Sequence, residues 1–346
     1  CPREAEFGQL MRKIRRDLVR IVNGGEEYTS VLFGGSGTAV MEATVASVIP
    51  SDSNSKVLLL INGAYGKRLQ QIAETYRIPA ETYETEWGKP LSWKDIRTLL
   101  SGRSDVRYLA MVHHETTTGI LNPLEPFLEI AREFDLTTIA DTISSYAGIP
   151  IDVERTPIDY LMSTSNKCLQ GMPGIGFVIC KHDALQALQN QQSRTFYLDL
   201  CRQYEKLEET GQTRFTPPVQ TIYALRQAIE EYLREGIHER WERYKSNYRV
   251  LTDGLQNLGF RLLLGDTVNH SHLLTTIFEP TDANYDFEEL HDRLYERGYT
   301  IYPGKIASKD TFRLAVLGAI DQTDIMNFLG DLETVLNEMN VSVQYE

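Results

Sequence analysis

What the chain lacks narrows it first. It has four cysteines in 346 residues (Cys1, Cys168, Cys180 and Cys201), none in a CxxC pair. That spacing suits neither a disulfide scaffold nor a thiolate metal knot, and points to reduced thiols in a cytoplasmic protein. No apolar run approaches the length of a membrane span, and no signal-peptide pattern opens the chain. Positive charge is scarce: 35 Lys and Arg against 48 Asp and Glu leave a net charge of −13. The one basic run, Arg12-Lys13-Ile14-Arg15-Arg16, suits a solvated helix face, so nucleic acid is not an expected partner. Repeats and low-complexity segments are absent as well. The first residue is Cys1 rather than methionine, so residues upstream are expected.

What is there reads as an α/β protein. A hydrophobic fraction of 42% and a charged fraction of 24% are ordinary for a globular chain. The length predicts two domains, or one large domain with an appendage. Continuous apolar runs at 57–61, 108–112 and 136–140 suit strands buried on both faces. Helical patterns at 92–100 and 124–134 separate them, which implies a mainly parallel sheet covered by helices. Residues 5–22 read as a surface helix, and 219–258 as a long, charged helical stretch. Shorter elements follow: strands at 273–278 and 311–316, helices at 287–297 and 321–337. The division expected is a large domain over 1–235 and a smaller C-terminal α+β domain over 236–346.

Parallel sheets gather ligands beyond the carboxyl ends of their strands. Tyr65, His114, Glu115, Thr117 and Asp141 all fall there. Residues 31–38, VLFGGSGT, read as a short strand, a glycine turn and a helix start, where unpaired N–H groups and the helix dipole favour an anion. Ser36 and Thr38 add hydroxyl donors, although Ser36 is equally an ordinary helix cap. The motif is not a nucleotide P-loop, since no Lys-Ser/Thr follows at the required spacing. Asp141, just after a buried strand, needs a cationic partner: a protonated pyridine nitrogen, a salt bridge, or a helix N-terminus. STSNKCLQGMPGIG at 163–176 holds Lys167 between two apolar runs. A lysine fixed there and partly desolvated favours its nucleophilic amine and Schiff-base chemistry, against the plainer reading of a solvated loop lysine. Arg313, inside the strand FRLAV, answers either a bound anion or a structural carboxylate. His113-His114 and His270-Ser271-His272 lack supporting ligands at metal spacing, so no metal is expected.

Seven segments, in order, carry a resemblance: GSGTAVMEA at 35–43, INGAYGKR at 61–68, HHETTTGILNPL at 113–124, DTISSYAGIPIDV at 141–153, SNKCLQGMPGIGFVI at 165–179, RFTPPVQTIYALRQAI at 214–229 and FRLAVLG at 312–318. Together they resemble the fold-type I, class V pyridoxal-phosphate aminotransferases, and among them those that exchange an amino group between an aminophosphonate and a 2-oxo acid. The resemblance implies pyridoxal 5′-phosphate as cofactor. Lys167 would hold it as a Schiff base and move the proton of the reaction. Asp141 would pair with the ring nitrogen and Tyr65 would stack on the ring. Thr117 would meet the ring hydroxyl, and Ser36, Gly37 and Thr38 would hold the phosphate. Ile143 and Asn166 complete the cofactor set. Thr216 would reach the phosphate of a neighbouring subunit, which implies a homodimer with a shared site. Arg313 would take the anionic end of the substrate. Two positions depart from the pattern: Val316 replaces a polar residue near Arg313, and Thr142-Ile143 follows Asp141. Rival expectations are a class V aminotransferase using alanine and glyoxylate, a lyase or desulfurase on the same scaffold, and a non-catalytic relative. The desulfurase is disfavoured because Cys168 sits beside Lys167.

Overall fold

The computed structural model describes residues 4–51, 55–265, 268–306 and 309–345, so Cys1 lies outside the described residues. After a helix, Ala5–Ile21, the chain lays down β1 (Tyr28–Gly34), β2 (Lys56–Ile61), β3 (Ala80–Glu84) and β4 (Val106–Val112). A two-stranded hairpin, β5 (His114–Glu115) with β6 (Ile120–Leu121), follows. The large sheet then resumes with β7 (Thr137–Asp141), β8 (Tyr160–Thr164) and β9 (Ile175–Lys181). Its order is β1-β9-β8-β7-β4-β2-β3. Strands β2, β3, β4, β7 and β8 pair in parallel, while β9 runs antiparallel to both β1 and β8. Strand β1 therefore points with the parallel five, and only β9 is reversed.

The buried apolar runs explain this sheet. Val57 to Ile61 and Tyr160 to Thr164 are buried at every position, as strands covered on both faces must be. Parallel neighbours need long crossovers, supplied by helices such as Gly37–Val48, Ala64–Thr75 and Leu124–Glu133. Strand β3 escapes a hydropathy reading because it closes the sheet at one edge and alternates exposed with half-buried residues. The helix Leu200–Thr210 also escapes it, although Asp199 caps its start and Gly211, at φ +69°, ends it.

The charged stretch expected as one helical run is two helices, Val219–Glu235 and Ile237–Asn257. Gly236, at φ +96°, parts them in a conformation that side chains resist. A second, antiparallel sheet has the order β10-β12-β11, from β10 (Leu274–Phe278), β11 (Tyr302–Pro303) and β12 (Thr311–Ala315). Its apolar face packs with the helices Ile237–Asn257, Phe287–Glu296 and Gln322–Glu338 around Leu251, Phe260, Phe312 and Leu332. Ile149 and Cys168 belong to this second core, which thereby abuts the loop of Lys167. Val316 is fully buried in it, so the departure from the family pattern there is a packing residue and not a cavity wall. Among the described residues no helix is long and apolar enough to cross a membrane.

Candidate active site

Strand direction assembles the site. The carboxyl ends of β1, β2, β4, β7 and β8 meet at one edge of the sheet, together with the amino end of the reversed β9. The segments leaving those ends surround a cavity of about 760 Å³, lined by Ser36, Gly37, Thr38, Tyr65, Ile143, Asn166, Lys167 and Thr216. Asp141, Thr117 and Arg313 lie outside that wall. Thr216 was expected at a neighbouring subunit's site; here it is exposed on the rim of its own chain's cavity, beside Pro217 and Tyr197.

One end of the cavity is built for an anion. Ser36 caps the helix Gly37–Val48, its hydroxyl accepting from the Ala39 amide at 3.4 Å. The first turn itself contains no acidic residue to compete for its amides. Close packing fixes the turn: a methyl group on Gly37 would come within 2.9 Å of the Ile143 side chain. One on Gly176, at the start of β9, would overlap Val40 on the helix. An Arg68 guanidinium nitrogen stands 3.5 Å from the Thr38 hydroxyl, which adds positive potential at the same end.

Lys167 sits in the turn between β8 and β9. The turn is held from within: the Gln170 amide donates to the Lys167 carbonyl at 2.8 Å and the Gly171 amide to the Ser165 carbonyl at 2.7 Å. Gln170 and Gly174 take positive φ, +62° and +122°. Half-buried, Lys167 carries its amine into the cavity wall, and the amine makes no hydrogen bond or ion pair among the described residues.

Asp141 ends β7 and is 3% exposed. One carboxylate oxygen accepts from the Ile143 amide at 2.9 Å, and no cation pairs with it among the described residues. Burial pushes its pKa up to about 7, against that hydrogen bond, with Glu115 adding to the rise and Arg68 and Lys167 opposing it. A carboxylate held this way is poised for a cationic partner.

Glu115 is the residue the sequence placed at a strand end without giving it a role. Fully buried, it accepts from the amides of Tyr65, Gly66 and Thr117, each at 3.1 Å, and from the Thr117 hydroxyl at 2.6 Å. It thus binds the N-terminus of the helix Ala64–Thr75 and fixes Tyr65 at the cavity. Burial raises its pKa. The Thr117 hydroxyl, expected to meet a cofactor ring, donates to Glu115 and accepts from the Ala64 amide at 2.9 Å. His114 is held by the Ser144 carbonyl at 3.0 Å, and burial lowers its pKa to about 4, so it is neutral at pH 7.

Arg313 lies on β12 between Phe312 and Leu314. Those two point into the second core, so strand alternation turns Arg313 the other way, toward the large sheet. Its guanidinium donates to the Thr116 carbonyl at 3.2 Å and the Pro303 carbonyl at 3.1 Å. Burial lowers its pKa, and it makes no ion pair among the described residues. An arginine this desolvated with only carbonyl partners has room for a carboxylate, phosphate or phosphonate. Cys168 offers no competing chemistry: its buried thiol, pushed up to about 12, donates to the Ser144 carbonyl at 3.5 Å. Among the described residues no group of three His, Cys, Asp or Glu could hold a metal ion.

Residues 2–314 match the profile of the family described as aminotransferase class-V. A 2-aminoethylphosphonate–pyruvate transaminase of Vibrio vulnificus (strain CMCP6) is 39% identical over 339 residues, 97% of this chain and 91% of that protein. One from Bacillus cereus (strain Q1) is 38% identical over 328 residues, 94% of this chain and 88% of that protein. Among solved structures, ureidoglycine–glyoxylate aminotransferase from Bacillus subtilis superposes with a TM-score of 0.87 at 26% identity, covering 98% of this chain and 87% of that one. Alanine–glyoxylate aminotransferase from Nostoc sp. gives 0.88 at 28% identity, covering 97% and 88%.

Proposed function

This chain belongs to the class V aminotransferases, and on that footing we propose that it moves the amino group of 2-aminoethylphosphonate to pyruvate, giving phosphonoacetaldehyde and L-alanine. The observation that carries the chemistry is the pairing of a free lysine amine in the cavity wall with a buried carboxylate that has no cation. The substrate reading is supported by full-length relatives with that activity in their names and by Arg313, a desolvated guanidinium without a carboxylate.

The residues fit pyridoxal 5′-phosphate. A cavity of about 760 Å³ falls within the range of small-molecule sites, roughly 300–1,000 Å³. Its capped helix start suits the phosphate, Tyr65 offers an aromatic face, and Asp141 supplies the charge that a protonated ring nitrogen needs. Bound there, the cofactor supplies an aldehyde that exchanges amines and a ring that withdraws electrons.

The chain's own residues do the rest. Ser36, Gly37 and Thr38 would hold the phosphate through hydroxyls and helix amides, with Ile143 and Asn166 beside the cofactor in the same cavity wall. Lys167 Nζ would be the amine that holds the cofactor and, once free, the base for the proton on the amine-bearing carbon of the donor. Asp141 would supply the negative charge that keeps a ring nitrogen protonated. Glu115 and Thr117 act one layer back, fixing the backbone that carries Tyr65. Arg313 binds the phosphonate of the donor and, in the second half-reaction, the carboxylate of pyruvate.

We further assign a homodimer and a cytoplasmic setting. Phe196 and Met172, 74% and 55% exposed, adjoin in sequence the cavity-lining Tyr197 and Pro173, and a second copy would cover such exposed apolar side chains. Cys168, Cys180 and Cys201 are free thiols, as a reducing compartment keeps them. We place the division of the chain at 235/236, where Gly236 parts two helices; the second core is drawn mostly from residues beyond it, with Ile149 and Cys168 joining from before it.

A single-turnover experiment tests the function. Cofactor-loaded enzyme mixed with 2-aminoethylphosphonate, without pyruvate, should lose its visible absorbance and release one equivalent of aldehyde. Absorbance unchanged with that amine but bleached by alanine would overturn the substrate assignment.

A further inference from the structure

We propose that Lys305 is a second cationic ligand for the anionic end of the substrate, reading the extra negative charge that distinguishes a phosphonate from a carboxylate. The proposal rests on the aminophosphonate reading and deepens it.

Lys305 reaches the site from far away in sequence. It donates from Nζ to the Tyr65 hydroxyl at 3.0 Å, and its nitrogen lies 4.7 Å from the Tyr65 ring centre. The backbone that delivers it is pinned to the strand bearing Arg313. The Gly304 amide donates to the Thr311 carbonyl at 2.6 Å, so close that any side chain at 304 would overlap Thr311. Arg313 in turn donates to the Pro303 carbonyl. Thr116 links the two cations from the other side, its carbonyl accepting from Arg313 while its side chain helps to lower the pKa of the Tyr65 phenol. Lys305 and Arg313 are therefore held at one edge of the cavity through shared neighbours.

Neither makes an ion pair among the described residues, in a chain of net charge −13. The contrast with other desolvated cations applies to the half-buried Arg313, Lys305 being exposed. Arg15, Arg226, Arg240 and Arg243, each largely buried, all pair with a carboxylate. Two cations left without one, Lys305 on the cavity residue Tyr65 and Arg313 on the neighbouring Thr116, leave a local excess of positive charge suited to a dianion. Lys305 makes itself felt electrostatically: burial would raise the pKa of the Tyr65 phenol, yet the hydrogen bond and charge of Lys305 hold it below its ordinary value.

The chemistry separates the two substrates. A carboxylate is planar, carries one charge and is satisfied by the fork of Arg313. A phosphonate is tetrahedral and carries a third oxygen and up to one further charge. The Lys305 ammonium has three donors, of which Tyr65 engages one, so the others are free for that oxygen. Pyruvate and alanine would use Arg313 alone; 2-aminoethylphosphonate would use both.

The test is carried out on cofactor-loaded wild type, Lys305→Gln and Lys305→Arg. Michaelis constants for 2-aminoethylphosphonate and L-alanine are measured beside the inhibition constants of ethylphosphonate and propionate, which keep the anionic ends but lack the amine. Lys305→Gln should weaken ethylphosphonate relative to propionate by about tenfold, the loss of one charge-assisted hydrogen bond at a partly exposed site. The ratio of the two Michaelis constants should follow, and Lys305→Arg should restore most of it. An unchanged inhibition ratio overturns the inference, and so does an equal weakening of both anions, which would mean that Lys305 only props Tyr65. Wild type that does not consume 2-aminoethylphosphonate removes the aminophosphonate reading instead, and the inhibition ratio still decides the role of Lys305.

Discussion

Replacing Asp141 with asparagine should stabilise the cofactor-free protein and destabilise its hold on the cofactor. Between pH 3.8, the ordinary aspartate value, and about 7, the folded chain keeps a proton on Asp141 that the unfolded chain has released. Stability of the cofactor-free chain therefore falls as pH rises through that window and stays low above it. At 1.36 kcal/mol per pH unit the full gap is worth about 4 kcal/mol at pH 8 and less than about 2 kcal/mol at pH 5. With roughly 2 cal/mol/K of unfolding entropy per residue, a chain of 346 residues should gain about 6 °C in melting temperature from Asp141→Asn at pH 8. The gain at pH 5 should be less than half of that. Asparagine keeps the acceptor for the Ile143 amide, so the comparison isolates the charge. Once pyridoxal phosphate is bound, the cationic ring nitrogen offsets the carboxylate; the variant then loses its advantage and releases the cofactor more readily. Melting curves at both pH values, with and without cofactor, check this. An asparagine variant no more stable than wild type at pH 8 without cofactor, or a gain identical at the two pH values, would refute the reasoning.

Other expectations follow from single contacts. Lys167→Ala should lower the transamination rate by roughly 10²–10⁴-fold and leave no visible absorbance that survives dialysis; retained absorbance would place the tether elsewhere. Gly63→Ala should cost about 1–3 kcal/mol, because the added methyl overlaps the buried Glu115 side chain; denaturant melts should show the loss, and a neutral result would mean that Glu115 can move. Cys168 should resist thiol reagents in the native protein, its thiol buried and pushed up to about 12, and should react at the rate of global unfolding. Fast labelling of that one cysteine would show that the turn of Lys167 opens independently.

Much of the fold could be read from hydropathy alone. Strands at 57–61 and 108–112 announce themselves because burial on both faces demands continuous apolar runs, and glycine at 34–37 before a helix marks a place where backbone amides are left unpaired. The edge strand β3 was not legible in the same way, since an edge has only half the burial and no run to display. Gly236 was hidden for another reason: inside a charged, helix-rich stretch, one glycine is tolerated as often as it breaks.

The sequence by itself determined the elements, their alternation and the residues able to do the chemistry, because hydrophobic period, capping residues and side-chain functional groups are local properties. It also placed Asp141 at a strand end and Lys167 in the loop between two strands. Only the tertiary structure decided which groups face one another. The single reversed strand β9 puts the Lys167 turn at the same edge as the other carboxyl ends; Glu115 engages the Thr117 hydroxyl; and β12 carries Arg313 against Thr116 while Lys305 closes on Tyr65 across 240 positions of chain. Such pairings depend on how sheets and helices pack in three dimensions, and no local pattern in the chain encodes the distance between them.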